Sequence, residues 1–167
     1  MNEPRLLFDF AAPTAIDGWR VIDDRIMGGC SLSRPEFIPG GGLRFRGSVS
    51  LDNGGGFASI RSPDADYALG DCEGLLLRIC GDGKRYKLGL RTDRFFDGIS
   101  YQAGFISPDG EWQELLLPFI DFVATHHGQR LTTAAPLDPA RIQSFGLFIA
   151  DRQAGPFHLD VAWIRAC

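Results

Sequence analysis

Asp23 and Asp24 stand side by side, and a pair of carboxylates is what acid–base cleavage of a glycosidic bond requires. Neighbouring residues in extended chain point to opposite faces, so these two do not address one substrate. At least one is expected to accept hydrogen bonds from loop amides. Gly28-Gly29-Cys30-Ser31-Leu32-Ser33 places a thiol and a hydroxyl in glycine-rich chain, as a nucleophile elbow does. The elbow needs glycine where Ser33 stands and a helix straight after the turn, and no helical periodicity follows. A hydrolase using Asp24, Ser31 or Cys30 is therefore the third reading, behind two binding ones. His126-His127 has no third ligand nearby in the chain, which is the pattern of a solvated loop, and neither a metal nor a cofactor is expected. A calcium ion held by loop oxygens would suit an all-β fold, but no position is marked for one. The glycine-rich segments lack the Lys-Ser or Lys-Thr and the strand-to-helix setting of a phosphate cradle.

Aromatic side chains offer a different chemistry. Two of Trp19, Trp112, Trp163, Tyr67, Tyr86 and Tyr101 could stack on a sugar if they shared an exposed face, and Tyr101 with Trp112 is the pair to examine. Rings of this kind in strands are more often core. Cys30, Cys72, Cys80 and Cys167 show no Cys-x-x-Cys spacing and are expected as free thiols, with Cys72 and Cys80 the pair to check first.

The elements that must position these residues are strands. Leu43 to Leu51 is apolar at every odd position except Gly47 and polar at every even one, so one face is buried and the other wet. Tyr86 to Arg91 and Phe157 to Val161 repeat the pattern. Leu75 to Cys80, Tyr101 to Ile106, Trp112 to Leu117 and Phe145 to Ala150 are more evenly apolar, as strands covered on both faces would be. Gly81-Asp82-Gly83 and Ser107-Pro108-Asp109-Gly110 read as hairpin turns. Helix is confined to a turn around Asp138 to Ile142, where Asp138 can cap and Pro139 can open the helix. Nine or ten strands at near-regular spacing predict an all-β jelly-roll sandwich. With 167 residues, the chain is expected to make a single domain over 1–167.

Composition narrows the partners. The formal net charge is −4 and no basic run exceeds Lys84-Arg85, so the concentrated cationic stripe of a nucleic-acid binder is missing. No apolar stretch reaches the ~20 residues of a membrane-spanning helix, and membrane insertion is not expected. The opening Met1-Asn2-Glu3-Pro4 looks like neither a signal nor a transit peptide, which points to the cytoplasm.

One segment is more specific. Trp19-Arg20-Val21-Ile22-Asp23-Asp24-Arg25-Ile26-Met27-Gly28-Gly29-Cys30-Ser31 resembles the signature of the complex I intermediate-associated protein 30 family: a Trp, an Asp, then Met-Gly-Gly-x-Ser. The resemblance continues in order through Gly47, Gly55 to Arg61, Tyr86 to Arg91 and Tyr101 to Phe105. It goes on through Trp112, Leu117-Pro118-Phe119, Phe122, Gly146 to Asp151 and Gly155-Pro156-Phe157. It implies a galactose-binding-like jelly roll, with motif cores at 19–31 and 53–61, in a stand-alone, bacterial-type member. It also implies a non-catalytic role in assembly of respiratory complex I, with complex I subunits or intermediates as protein partners. A carbohydrate-binding module of the same fold class is the alternative. The family lends no catalytic residues. Candidate binding positions are Asp24, Met27, Gly28, Gly29, Ser31, Arg61, Arg91, Tyr101, Trp112 and Asp151. Gly28 and Gly29 are expected to adopt positive φ in a close-packed turn. Arg61 and Arg91 are expected to pair with a carboxylate such as Asp24 or Asp151. If Asp24 only accepts backbone hydrogen bonds, an asparagine there should cost less than if it pairs with buried Arg61 or Arg91, where ~3–5 kcal/mol is the usual scale.

Overall fold

The computed structural model describes residues 3–95 and 98–167, with backbone alone at 26 and 27. Its strands are β1 (Arg5–Asp9), β2 (Arg20–Val21), β3 (Leu32–Ile38), β4 (Gly42–Val49), β5 (Ala58–Arg61), β6 (Gly74–Cys80) and β7 (Arg85–Arg91). These are followed by β8 (Ser100–Ile106), β9 (Gln113–Pro118), β10 (Val123–His126), β11 (Gln129–Arg130), β12 (Ser144–Ile149) and β13 (Gly155–Ala166). Six form one antiparallel sheet in the order β3-β4-β13-β6-β9, with β1 also pairing β13. Seven form the second in the order β11-β10-β8-β7-β12-β5-β2. The described residues form thirteen strands, more than the nine or ten expected; β2 and β11 account for part of the excess, since two residues each are too few to show a period of two.

Alternation explains the core between the sheets. Leu43 and Phe45 of β4, Leu88 and Leu90 of β7, and Phe145 and Leu147 of β12 are all fully buried. Gly47 interrupts the apolar series because β3 crosses there: a Cβ at 47 would overlap the carbonyl oxygen of Leu32. Of the evenly apolar runs, Phe145 to Ala150 is covered on both faces as expected, β12 being buried at every residue but the half-buried Phe148, whereas others are not. β9 is an edge strand with Leu116 54% exposed, and Ile106 at the end of β8 is 73% exposed. Among the described residues helix is limited to short 3-10 turns, one of them Pro139–Arg141, where Asp138 accepts a hydrogen bond from the Ala140 N–H as its sequence suggests. No helix among the described residues is long and apolar enough to cross a membrane.

Two turns differ from expectation. Gly81-Asp82-Gly83 and Ser107-Pro108-Asp109-Gly110 are not hairpins, since β6 and β9 belong to one sheet and β7 and β8 to the other. They are crossovers lying against each other: the Gly81 N–H donates to Pro108 O at 2.8 Å and the Gly110 N–H to Gly81 O at 3.0 Å. Asp82 ties them down, accepting from the Tyr86 hydroxyl and the His158 N–H at 3.0 Å. Tight hairpins are found instead at His127-Gly128, both at positive φ, between β10 and β11, and at Pro39-Gly40-Gly41 between β3 and β4. All four cysteines are free. Cys72 precedes β6 and Cys80 ends it, so roughly 20 Å of extended strand keeps them apart.

Candidate functional site

The chain after β2 turns through the 3-10 helix Asp24–Met27, capped by Gly28 at φ 88°. Asp23 and Asp24 sit at its start, 3% and 1% exposed, and both are consumed by internal hydrogen bonds. Asp24 Oδ1 accepts from the Ser31 N–H at 2.9 Å. Its Oδ2 accepts from the Ser31 hydroxyl at 2.6 Å, the Gly56 N–H at 2.7 Å and the Phe57 N–H at 3.3 Å. Asp23 faces the other way, accepting from the Ser33 N–H at 2.8 Å, the Ser33 hydroxyl at 2.6 Å and the Ser59 N–H at 2.9 Å. The two carboxylates thus clasp the start of β3 and the approach to β5. Burial would raise Asp24, but the Ser31 hydroxyl and three backbone N–H groups outweigh it and hold the carboxyl below its ordinary 3.8. At Asp23 desolvation prevails over the bonds from Ser33 and Ser59, and with the charge of Asp24 beside it the carboxyl is raised.

The glycines of the motif have separate reasons. Gly28 supplies the left-handed cap, whereas Gly29 is not at positive φ as expected. Gly29 is needed for room, because a Cβ there would overlap the Asp24 carboxyl carbon, and one at Gly55 would stand 2.5 Å from Asp24 Oδ2. Sequence reading found Asp24 and Ser31 but missed Ser33, Ser59, Gly55 and Gly56. The Ser-x-Ser spacing after Asp-Asp was the available signal.

The other expected residues are dispersed. The Met27 side chain lies outside the described residues. Tyr101, 7% exposed, points into the core from β8 and donates its hydroxyl to Ala135 O at 2.9 Å. Trp112 is half-buried before β9, in the other sheet, with the Arg78 guanidinium 5.6 Å from its ring centre. They make no shared platform. Asp151 is exposed and pairs with Lys87 at 3.4 Å and Arg85 at 4.0 Å, not with Arg61 or Arg91. Arg61 and Arg91 do not reach Asp24 either, whose oxygens are filled by amides and a hydroxyl. Arg91 donates to Phe95 O and lies 3.9 Å from Asp93. Arg61 is 8% exposed, and burial, followed by the charges of Arg91 and Arg20, pushes its guanidinium down to about 10. It keeps its charge at neutral pH.

Comparison with known proteins agrees with this architecture. The family model of Complex I intermediate-associated protein 30 matches residues 8–161. The mitochondrial Complex I intermediate-associated protein 30 of Drosophila melanogaster is 26% identical over 185 residues, covering 98% of this chain, which spans 62% of that protein. The Mus musculus protein of the same name is also 26% identical, with 98% and 56% covered. Among solved structures, the family 11 carbohydrate-binding module of the cellulosomal cellulase Lic26A-Cel5E of Clostridium thermocellum superposes with a TM-score of 0.70. It shares 18% identity, with 98% of this chain and 94% of that one covered. An exo-β-agarase gives a TM-score of 0.60 at 11% identity, covering 98% of this chain and 24% of the enzyme. These two likenesses are of fold: a galactose-binding-like β-sandwich. With the signature around Asp24 and the match over residues 8–161, the chain belongs to the complex I intermediate-associated protein 30 family.

Proposed function

We propose that this chain is a non-catalytic assembly module that engages a protein partner belonging to respiratory complex I or its assembly intermediates. The observation that carries this reading is the family match across residues 8–161, in a chain whose relatives are named for complex I intermediates. Burial of two of the three hydrolase candidates supports it: Asp24 and Ser31 are bonded to each other and to the turn rather than open to a substrate, while the Cys30 thiol is exposed. The outer face of the six-stranded sheet offers a surface to a protein. Arg165 lies opposite Leu6 and Leu76, and Leu76 opposite Leu116. The Arg165 guanidinium covers the Trp163 ring at 3.9 Å, and Ile120 just beyond β9 is 90% exposed. Trp and Arg are enriched in protein interfaces, and the exposed leucines around this pair extend the apolar face.

Affinity purification of the tagged chain from its native host tests the proposal. Complex I subunits or intermediates should co-purify, and deletion of the gene should lower NADH:ubiquinone oxidoreductase activity. Recovery of neither, with activity unchanged in the deletion strain, would remove it. In this reading the chain works in the cytoplasm, whereas the relatives are named as mitochondrial, and fractionation of the host checks the placement.

A further inference from the structure

The outer face of the seven-stranded sheet gathers cationic side chains around the buried Arg61. Register places Arg20 of β2 opposite Arg61 of β5, Arg61 opposite Gly146 of β12, Gly146 opposite Gly89 of β7, and Gly89 opposite Gln102 of β8. One row along, Ser144 lies opposite Arg91, and one row the other way Phe148 lies opposite Lys87. The core residues Ile60, Leu90 and Phe145 are next along their strands, so Arg61, Arg91 and Ser144 share the face turned away from the core. The two glycines make space for the half-buried Phe148 ring. A Cβ at Gly89 or Gly146 would stand 2.6 or 2.8 Å from Phe148 Cε2.

Arg61 is nine-tenths buried, yet its guanidinium makes no hydrogen bond to a described residue and has no described carboxylate within 4.0 Å. The charges acting most strongly on it are Arg91 and Arg20, both cationic, ahead of Asp64 and Asp93. Ser144 Oγ, in the same array, is the buried side-chain polar atom without a hydrogen-bond partner among the described residues. A buried hydroxyl is ordinarily satisfied, and a largely buried cation crowded by like charges is stabilised when an anion joins it. A guanidinium's parallel N–H pair fits the oxygens of a carboxylate or a phosphate.

We infer that this face binds an oxyanion, a carboxylate or a phosphate, held by Arg61 and Arg20 with Arg91 behind them and the Phe148 ring alongside. The site is separate from the Asp23–Asp24 clasp and from the apolar face of the other sheet, and it does not depend on the complex I reading. Its source is either a free anion or an acidic side chain of a polypeptide, and the test distinguishes the two.

The test uses purified ¹⁵N-labelled protein at low salt, following the Arg61 Nε–Hε signal and the amides of Gly89 and Gly146 by NMR. Inorganic phosphate, a glutamate-rich peptide and a neutral β-glucan tetrasaccharide are titrated separately. At least one anion should shift these signals saturably, and Arg61→Gln should weaken its binding about tenfold or more. Arg20→Gln, at an exposed position that leaves the fold intact, should weaken it by a smaller factor and stands in if Arg61→Gln does not fold. Saturation by phosphate at concentrations where the peptide does nothing assigns a free anion, and the reverse assigns an acidic polypeptide. No shift with either anion at millimolar concentrations, undiminished binding in both variants, or a response to the neutral glycan alone would overturn the site.

Discussion

At the residue scale, Asp24 is the part of the signature whose chemistry is most constrained. Both of its oxygens accept and three of its four donors are backbone N–H groups, so an asparagine must turn its NH₂ toward at least one of them. Asp24→Asn should therefore cost about 2–3 kcal/mol in urea melts at neutral pH, more than a simple acceptor count would suggest. The sign of its pH dependence is set by its lowered carboxyl. The stabilisation is fully present above the ordinary 3.8 and is lost as pH falls through the still lower folded value, so the gap between wild type and Asp24→Asn should narrow below that point. A gap that stays constant down to acid unfolding would show that the carboxylate's charge contributes nothing. The adjacent glycines separate room from dihedral. Gly29→Ala should cost about 2–3 kcal/mol by displacing the carboxylate, whereas Gly28→Ala, with nothing within 4 Å of its Cβ, should cost about 1–2 kcal/mol for the left-handed φ alone.

At the scale of elements, the sandwich is held at two places where chain passes between or beside sheets. The Asp23–Asp24 clasp joins the segment after β2 to β3, of the opposite sheet, and to β5. Asp82 does the same for the crossovers at the C-terminal end of β6, where it also receives Tyr86 from the core and His158 from β13. Asp82→Ala strands the His158 N–H and part of the Tyr86 hydroxyl's bonding, and should destabilise by about 2–3 kcal/mol. Denaturant unfolding measures this, and a loss under half a kcal/mol would mean the crossovers hold without it. The β6-to-β7 and β8-to-β9 connections bond to each other, so their disruption should be registered together by amide exchange at Gly81 and Gly110.

For the whole molecule, the two outer faces divide the chemistry. The six-stranded sheet presents Leu6, Leu116 and the neighbouring Ile120, while the seven-stranded sheet presents the arginine array over Phe148. Leu116→Glu combined with Ile120→Glu alters only solvent-exposed side chains, so stability should change by no more than about 0.5 kcal/mol per position. Co-purification of complex I components should nonetheless fall sharply. Undiminished recovery from the folded double variant would place the partner elsewhere on the surface.

The amino-acid sequence by itself determined the all-β class, the position of most long strands and the family, because alternation of apolar residues reports which face of a strand is buried and the Met-Gly-Gly-x-Ser segment is distinctive. It also marked Asp23 or Asp24 as structural, since adjacent extended residues cannot face the same way. Tertiary structure alone decided which sheet each strand entered, and so turned two expected hairpins into crossovers. It alone showed that Tyr101 lies in one sheet and Trp112 beside an edge strand of the other, and that Arg61 lies among arginines instead of beside Asp24 or Asp151. The physical reason is that a period of two encodes a face and not a neighbour. The partners that settle each polar group are remote in sequence: Asp24 is bonded to Gly56, 32 residues away, and Asp82 to His158, 76 residues away. Such pairings exist only once the strands between them have chosen their sheets.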